Sequence, residues 1–128
     1  MSDVSLVIFA KDQAELAKFY CDAIGFERIG GDDSHSALRY RGFDLLVHQI
    51  PASAQPAAER AGPTARRESS PLRIDIVVDS IERVAEAAAA LGGRVDQSPP
   101  GWAPADARFR IGHDPEGNVI RISEGDAQ

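Results

Sequence analysis

The sequence predicts an α+β fold, a single domain of residues 1–128 built from two tandem strand–helix–strands modules. In each half, an apolar, β-branched run is followed by an amphipathic helical pattern and then by short strand patterns between turn residues. The two halves keep the same spacing: Gly25 lies 13 residues after Asp12, and Gly92 lies 13 residues after Asp79. A unit of this size that occurs twice is expected to bury a core shared by its two copies.

The first module covers about residues 1–50. It opens with residues 4–10, VSLVIFA, whose continuous apolar character predicts a strand buried on both faces. Asp12 and Glu15 form a capping-box pattern that predicts the start of a helix, and Gly25 predicts its end. Three short strands are predicted after the helix, at Phe26–Gly30, His35–Arg41 and Asp44–Ile50.

The second module, about residues 72–124, repeats this order. A strand is predicted at Leu72–Val78, and Asp79 or Ser80 is expected to cap a helix at Ile81–Leu91. Short strands are then predicted at Arg94–Gln97, Ala107–Gly112 and Asn118–Ser123.

Residues 51–71, PASAQPAAERAGPTARRESSP, predict a linker, because they contain four prolines and little apolar periodicity. Ala57–Ala61 could form a helical turn within it. A connector of this length inside a compact domain is often functional, and this one could close over a pocket. Arg60, Arg66 and Arg67 form a small basic cluster, for which we expect a solvated surface position or, alternatively, a role in gating a ligand.

Charge and composition exclude several classes of function. The net charge of −6 removes the basic surface that phosphate-backbone binders need, so we expect no nucleic-acid partner. No apolar run approaches the length of a membrane span, and the N-terminal MSDVSL lacks the basic and apolar regions of a signal peptide. These features predict no membrane partner and a cytoplasmic location. Cys21 is the only cysteine, which excludes an intrachain disulfide, and no histidine partner suggests a nucleophilic role for it.

Two short motifs carry a family resemblance. Phe19-Tyr20 with Ile24-Gly25-Phe26, followed much later by the turn sequence Asp114-Pro115-Glu116-Gly117-Asn118, resembles the vicinal oxygen chelate superfamily. That group includes glyoxalase I, fosfomycin-resistance enzymes, extradiol dioxygenases and bleomycin-binding proteins. The resemblance runs from Val4 to Ser123 and implies a glyoxalase-like fold, in which two βαβββ modules form a curved, cup-shaped mixed sheet around a ligand. It also implies a homodimer.

Enzymes of this superfamily usually hold a divalent metal in the cup through His and Glu ligands. The resemblance places three of those positions at Ser5, Arg73 and Arg121, and leaves His48 as the one candidate ligand at or near a family position. A guanidinium has hydrogen-bond donors only and stays protonated, so it cannot ligate a metal. We therefore expect no metal and no other cofactor.

The cup implied by the resemblance has a predicted lining. Because successive side chains of a strand point to opposite faces, Arg73 and Asp75 should face the cup, and so should Arg121. The predicted ligand-binding residues are Ser5, Phe9, His48, Arg73, Asp75, Trp102 and Arg121. Arginines at this position favour a small anionic ligand held by bidentate contacts. The alternative is that Asp75 pairs with one of the arginines across adjacent strands and satisfies it.

Three histidines and one tryptophan could also contribute chemistry. His48 could act as an acid or base in the pocket, or point to solvent from the end of its strand. His35 is expected to be exposed in a polar turn, and His113 to make local turn contacts. Trp102 could anchor a surface loop or form a wall of the pocket.

Two hypotheses about function follow. The first is a metal-free protein of the glyoxalase/bleomycin-resistance type that binds a small, anionic organic molecule in the cup between its modules. The alternative is an enzyme of the superfamily, a lyase, isomerase or dioxygenase-like activity, that uses His48 and Asp75 as acid–base groups or a non-standard metal site. The arginines at two metal positions favour the first hypothesis, and the sequence leaves open whether the chain is an enzyme.

Overall fold

The computed structural model describes residues 3–55 and 65–125. The chain divides into two compact units, residues 1–64 and 65–128. Each unit contains one mixed four-stranded sheet with a helix packed on it. The α+β class and the two tandem modules are therefore confirmed, and a single domain formed by both units stays a prediction.

The first unit has the strand order β1-β4-β3-β2, in which β1 is parallel to β4 and the other pairs are antiparallel. Its elements are β1 (Ser5–Ala10), α1 (Gln13–Phe19), β2 (Glu27–Gly31), β3 (His35–Tyr40) and β4 (Phe43–Gln49). A π-helical turn at Tyr20–Ile24 continues α1, and a 3-10 turn at Ala52–Ala54 follows β4.

The helical segment formed by α1 and the π-helical turn begins and ends where the sequence predicts. Its first turn is capped by Asp12, whose Oδ1 accepts a hydrogen bond of 3.1 Å from the backbone amide of Glu15. Gly25 ends the helical segment with a φ of 111°, in the left-handed region that glycine adopts without a steric cost. Phe19 and Tyr20 are fully buried in the core between helix and sheet, with their rings edge to face.

The second unit repeats the arrangement with the order β5-β8-β7-β6, in which only β5 and β8 are parallel neighbours. Its elements are β5 (Ile74–Val78), α2 (Ile81–Ala90), β6 (Arg94–Val95), β7 (Phe109–His113) and β8 (Val119–Glu124). Ser80, not Asp79, caps α2, because its Oγ accepts from the amide of Arg83 at 3.2 Å.

The turn at residues 114–118 is built around a buried carboxylate. Asp114 is fully buried, and its Oδ1 accepts hydrogen bonds from the amides of Glu116 at 2.9 Å and Asn118 at 3.0 Å. The Asn118 side chain also donates to this carboxylate. The aspartate thus satisfies the backbone of the turn, as expected from the sequence.

Several strand boundaries differ from the prediction by one or two residues. Strand β5 starts at Ile74 and not at Leu72, because Leu72 is exposed and its amide donates to the side chain of Ser70. Strand β7 starts at Phe109, because Ala107 closes a turn onto Pro104. Local side-chain and turn bonds therefore shorten the sheets at their ends.

The prediction that the first strand is buried on both faces is wrong. Helix α1 covers one face of the sheet, and the side chain of Phe9, on the other face, is 68% exposed. The predicted helical turn at Ala57–Ala61 and the position of Arg60 lie outside the described residues. Within residues 3–55 and 65–125, no helix has the length and apolar character needed to cross a membrane.

Candidate functional site

Each sheet has one face that its helix does not cover. Every second side chain of a strand points away from the helix and lies on this face. We call these two faces the first open face, in the unit of residues 1–64, and the second open face, in the unit of residues 65–128. The first open face carries Phe9, Leu46, His48, His35, Arg39 and Asp44. The second open face carries Asp75, Arg121, Ser123, Phe109, Ile111 and His113.

A row of three rings crosses the first open face. Phe9 on β1 lies opposite His48 on β4, which in turn lies opposite His35 on β3. The two imidazole rings are stacked, with centroids 5.2 Å apart and planes 14° apart, and the Phe9 ring lies 6.2 Å from His48. The imidazole of His48 thus lies between the rings of Phe9 and His35 on the first open face.

The prediction that His35 is exposed in a turn is wrong, because its side chain is half-buried, whereas the strand predicted to begin at this residue is confirmed. The turn before it is closed by Asp32, whose Oδ1 accepts from the amide and hydroxyl of Ser34, each at 2.8 Å. These bonds lower the pKa of the Asp32 carboxyl to about 2. The same oxygen lies 2.9 Å from Nδ1 of His35, which orients this imidazole beside His48.

An ion pair that the sequence did not indicate lies at the other end of this face. Arg39 binds the buried carboxylate of Asp44 in a bidentate manner, at 2.7 Å and 3.1 Å. The carboxylate raises the pKa of the Arg39 guanidinium. Ser5 lies opposite Asp44 in register and is exposed. The charges of Arg39 and Asp44 are thus matched to each other.

On the second open face, Asp75 pairs with Arg73, two residues before it on the same sheet face. The guanidinium donates two bonds to the carboxylate, including one of 3.0 Å from Nη2 to Oδ2. The predicted alternative had Asp75 paired across adjacent strands. Asp75 does lie opposite Arg121 in register, but its carboxylate is bound by Arg73, which directly precedes β5. The cation of Arg73 is therefore matched.

Arg121 differs from Arg73, because it contacts an aromatic ring and no carboxylate among the described residues pairs with it. Its Cζ lies 3.9 Å from the centroid of the Phe109 ring, within the range of a cation–π contact. Its Nε is buried and has no hydrogen-bond partner among residues 3–55 and 65–125. Buried N–H groups without an acceptor are rare in proteins. The guanidinium is thus positioned by an aromatic ring, while no described residue supplies an acceptor for its Nε.

Trp102 extends the aromatic surface next to Arg121. Its ring centroid lies 5.6 Å from that of Phe109, while 74% of the residue is exposed. The tryptophan therefore contacts the open face but offers most of its ring surface to solvent. Phe109 is a residue of this face that was not among the predicted site residues, although the alternation of the predicted strand places it there.

A third cluster on this face joins the end of the linker to the sheet. Arg66 donates from Nη1 and Nη2 to the two carboxylate oxygens of Asp96, at 3.0 Å and 2.8 Å. Its Nε donates to Nδ1 of His113 at 2.7 Å. Both earlier expectations are wrong, because Arg66 is not solvated and His113 bonds to a residue 47 positions away. The segment is held there by Arg67, whose amide donates to the carbonyl of Gly117.

This cluster changes the titration of its members. Burial lowers the pKa of His113, and the cations of Arg66 and Arg94 lower it further. Asp96 and Glu68 act in the opposite direction on this pKa. The hydrogen bonds from Arg66 lower the pKa of Asp96, which keeps this carboxylate ionised.

The residues at the superfamily's metal positions do not fit a metal ion. Ser5 and His48 are on the first open face, and the other two positions hold guanidinium groups, which cannot be ligands. Arg73 is bound to Asp75 and Arg121 lies over Phe109. In the part of the chain that the structure describes, no group of three or more His, Cys, Asp or Glu side chains could hold a metal ion.

Cys21 lies in a groove of about 500 Å³ beside α1, away from the first open face. Burial raises the pKa of its thiol, and the nearby Asp22 raises it further. A raised pKa disfavours the thiolate, so this environment does not activate a nucleophile.

The fold and these residues can be compared with known proteins. The model of the glyoxalase-like domain family matches residues 5–123. A glyoxalase/bleomycin resistance protein from Albidiferax ferrireducens T118 has a similar structure, with a TM-score of 0.64, 22% identity, and coverage of 98% of this chain and 100% of that one. A glyoxalase/bleomycin resistance protein/dioxygenase family enzyme from Burkholderia phytofirmans PsJN gives a TM-score of 0.67 at 20% identity, covering 96% and 98%.

The fosfomycin resistance protein FosX from Listeria monocytogenes is also similar, with a TM-score of 0.68, 14% identity, and coverage of 100% of this chain and 94% of that one. No curated protein sequence matches the chain significantly. At these identities, the structural similarities establish the fold.

Proposed function

Because the chain belongs to the glyoxalase-like domain family, within the vicinal oxygen chelate superfamily, we propose that it binds a small anionic organic molecule on the second open face without a metal ion. The observation that carries this proposal is the state of Arg121, a half-buried cation whose Nε has no acceptor among the described residues. A cup shared with the first open face, a homodimer and a cytoplasmic location stay predictions.

The other arginines on the open faces differ from Arg121 in one respect. Arg39, Arg66 and Arg73 are each matched by a carboxylate of the same unit. For Arg121, no carboxylate among the described residues does so, although Asp75 lies opposite to it. Taking a cation out of water without a counter-charge is unfavourable, so a bound carboxylate or phosphonate would supply the missing partner.

The surroundings of Arg121 indicate the rest of the ligand. Phe109 and Trp102 form an aromatic surface. The exposed Val77 on β5 lies opposite Ser123 on β8, which in turn lies opposite Phe109 on β7. Flat aromatic groups stack well on such rings. The ligand class that fits is therefore an aromatic carboxylate or a related anion with an apolar body.

The enzymatic alternative receives less support. Both oxygens of the Asp75 carboxylate accept hydrogen bonds from Arg73, which leaves less of this group available to a substrate. An acid–base role for His48, next to His35 and Asp32, stays a prediction. No step of such a reaction follows from the contacts of these residues.

Binding can be tested with Trp102 as the reporter, because it is the only tryptophan and contacts Phe109. We expect benzoate and phenylacetate to change its fluorescence saturably and to raise the melting temperature, and inorganic phosphate to do so less. The variant Arg121→Met should lose these responses, whereas the matched control Arg73→Met should keep them. If Arg121→Met leaves every ligand response unchanged, the proposed function is wrong.

A further inference from the structure

We propose that His113 is a second ligand contact, held by Arg66 as a neutral hydrogen-bond donor, and that the ligand is an elongated aromatic carboxylate with an acceptor oxygen at its far end. The inference rests on the proposed function for its anionic contact, Arg121. To the proposed function it adds a second contact residue, the direction of the ligand along β7, and the need for an acceptor oxygen on the ligand.

The hydrogen bond from Arg66 determines which nitrogen of the His113 imidazole carries the proton. The guanidinium of Arg66 can only donate, so Nδ1 of His113 must accept the 2.7 Å bond from Nε. A neutral imidazole that accepts at Nδ1 carries its proton on Nε2. The ring is therefore fixed as the Nε2–H tautomer, a donor toward any partner on its free side.

The guanidinium of Arg66 is fixed in its position by its hydrogen bonds. Asp96 binds both terminal nitrogens of this guanidinium, so all three nitrogens of Arg66 are engaged and its Nε cannot turn away from His113. Protonation of His113 at Nδ1 would place two N–H groups against each other beside this cation. Asp96 and Glu68 favour the charged imidazole, but Asp96 is already matched by Arg66, and burial and Arg94 act against that form.

The Nε2–H group of His113 is available as a donor to a ligand. No hydrogen bond to this atom is found in the described part of the chain, and it is not among the buried atoms that lack a partner. His113 is half-buried on the second open face, where β7 alternates Phe109, Ile111 and His113. A donor that is oriented but unused is what a binding site provides.

The spacing of side chains along β7 indicates how long the ligand must be. Phe109, which carries the guanidinium of Arg121 above its ring, and His113 are four residues apart, roughly 13 Å along an extended strand. Ile111 lies between them on the same face. A ligand with its anion at Arg121, an apolar ring over Ile111 and an acceptor oxygen at His113 would match this order. A compact 2-oxo acid would be too short to span it.

The test uses two ligands of nearly equal shape, 4-acetylbenzoate and 4-isopropylbenzoate, which differ in one acceptor oxygen. Trp102 fluorescence gives both affinities for the wild-type protein and for His113→Phe. We expect His113→Phe to reduce the preference for the acetyl compound by about 5-fold, the usual effect of one neutral hydrogen bond. His113→Gln, which keeps a donor, should retain part of the preference.

Each outcome distinguishes the two claims. If both ligands bind through Arg121 and His113→Phe leaves their ratio unchanged, this inference is wrong and the proposed function stands. If neither binds, or if Arg121→Met binds both normally, the proposed function fails and the inference fails with it. Nitrogen NMR of the ligand-free protein gives an independent test, because a His113 ring protonated at Nδ1 at pH 7 would also overturn the inference.

Discussion

Replacement of Arg121 by methionine should raise the free energy of unfolding of the ligand-free protein, although it removes a charged side chain from the sheet. The physical reason lies in two contacts of this residue. Its guanidinium lies 3.9 Å from the Phe109 centroid, and this contact stabilises the folded protein. Its buried Nε lacks an acceptor among the described residues, and this destabilises the folded protein. Methionine is unbranched, fits the same space and keeps an apolar contact with Phe109.

The magnitude follows from these two effects. A cation over an aromatic ring contributes about 0.5–1 kcal/mol at a site that is partly exposed. A buried polar group without a partner costs about 1–3 kcal/mol. Because the sulfur–aromatic contact of methionine replaces part of the lost attraction, we expect a net gain of about 1 kcal/mol. In a chain of this size, that gain would raise the melting temperature by about 4 °C.

Urea denaturation followed by circular dichroism measures this change, with Arg73→Met as the matched control. Arg73 is in an exposed ion pair, so its replacement should change the free energy of unfolding by less than about 0.5 kcal/mol. If Arg121→Met instead lowers the free energy of unfolding by about 1 kcal/mol or more, as expected when a hydrogen-bonded cation is removed, this prediction is wrong. Such a result would mean that the native protein itself supplies the partner that we assign to the ligand.

Three further predictions concern the turn, the acid response and the metal. Asp114→Ala should lower the free energy of unfolding by about 3 kcal/mol in urea melts, because buried amides lose a charged acceptor, and an effect below about 1 kcal/mol would contradict this. Since the pKa of His113 is below 6.5 in the native protein, the unfolded chain takes up this proton first, and stability should fall as the pH drops below 6.5. His113→Phe should lack that part of the decline, and identical pH profiles would argue against the cluster. Metal analysis of protein purified without chelator or affinity tag should give substoichiometric Fe, Zn, Ni and Mn, and one tightly bound ion per chain would show that the metal-free proposal is wrong.

The features that could be predicted from the sequence are local. The caps of both helices, the left-handed Gly25 and the turn around Asp114 depend on residues a few positions apart, so the sequence pattern contains their cause. The alternation of β5 and β8 was also predictable, because the buried Ile76 and Ile122 fix which side chains face away from the helix.

The features that could not be predicted depend on side chains far apart in the sequence. Arg66 reaches His113 across 47 positions, and no local pattern indicates that contact. Asp75 had two arginines within reach, and the choice between them depends on side-chain rotamers, which the strand pattern does not contain. The exposure of Phe9 depends on what covers the sheet and not on its own strand.

Anion binding by Arg121 is tested most directly by an NMR titration that observes the arginine Nε–H groups while 4-acetylbenzoate or benzoate is added. The proposed function predicts that the Arg121 signal moves saturably as its Nε gains an acceptor, while the signals of Arg73 and Arg66, which already have one, stay in place. Saturable binding that moves Arg73 and leaves Arg121 unchanged would contradict it.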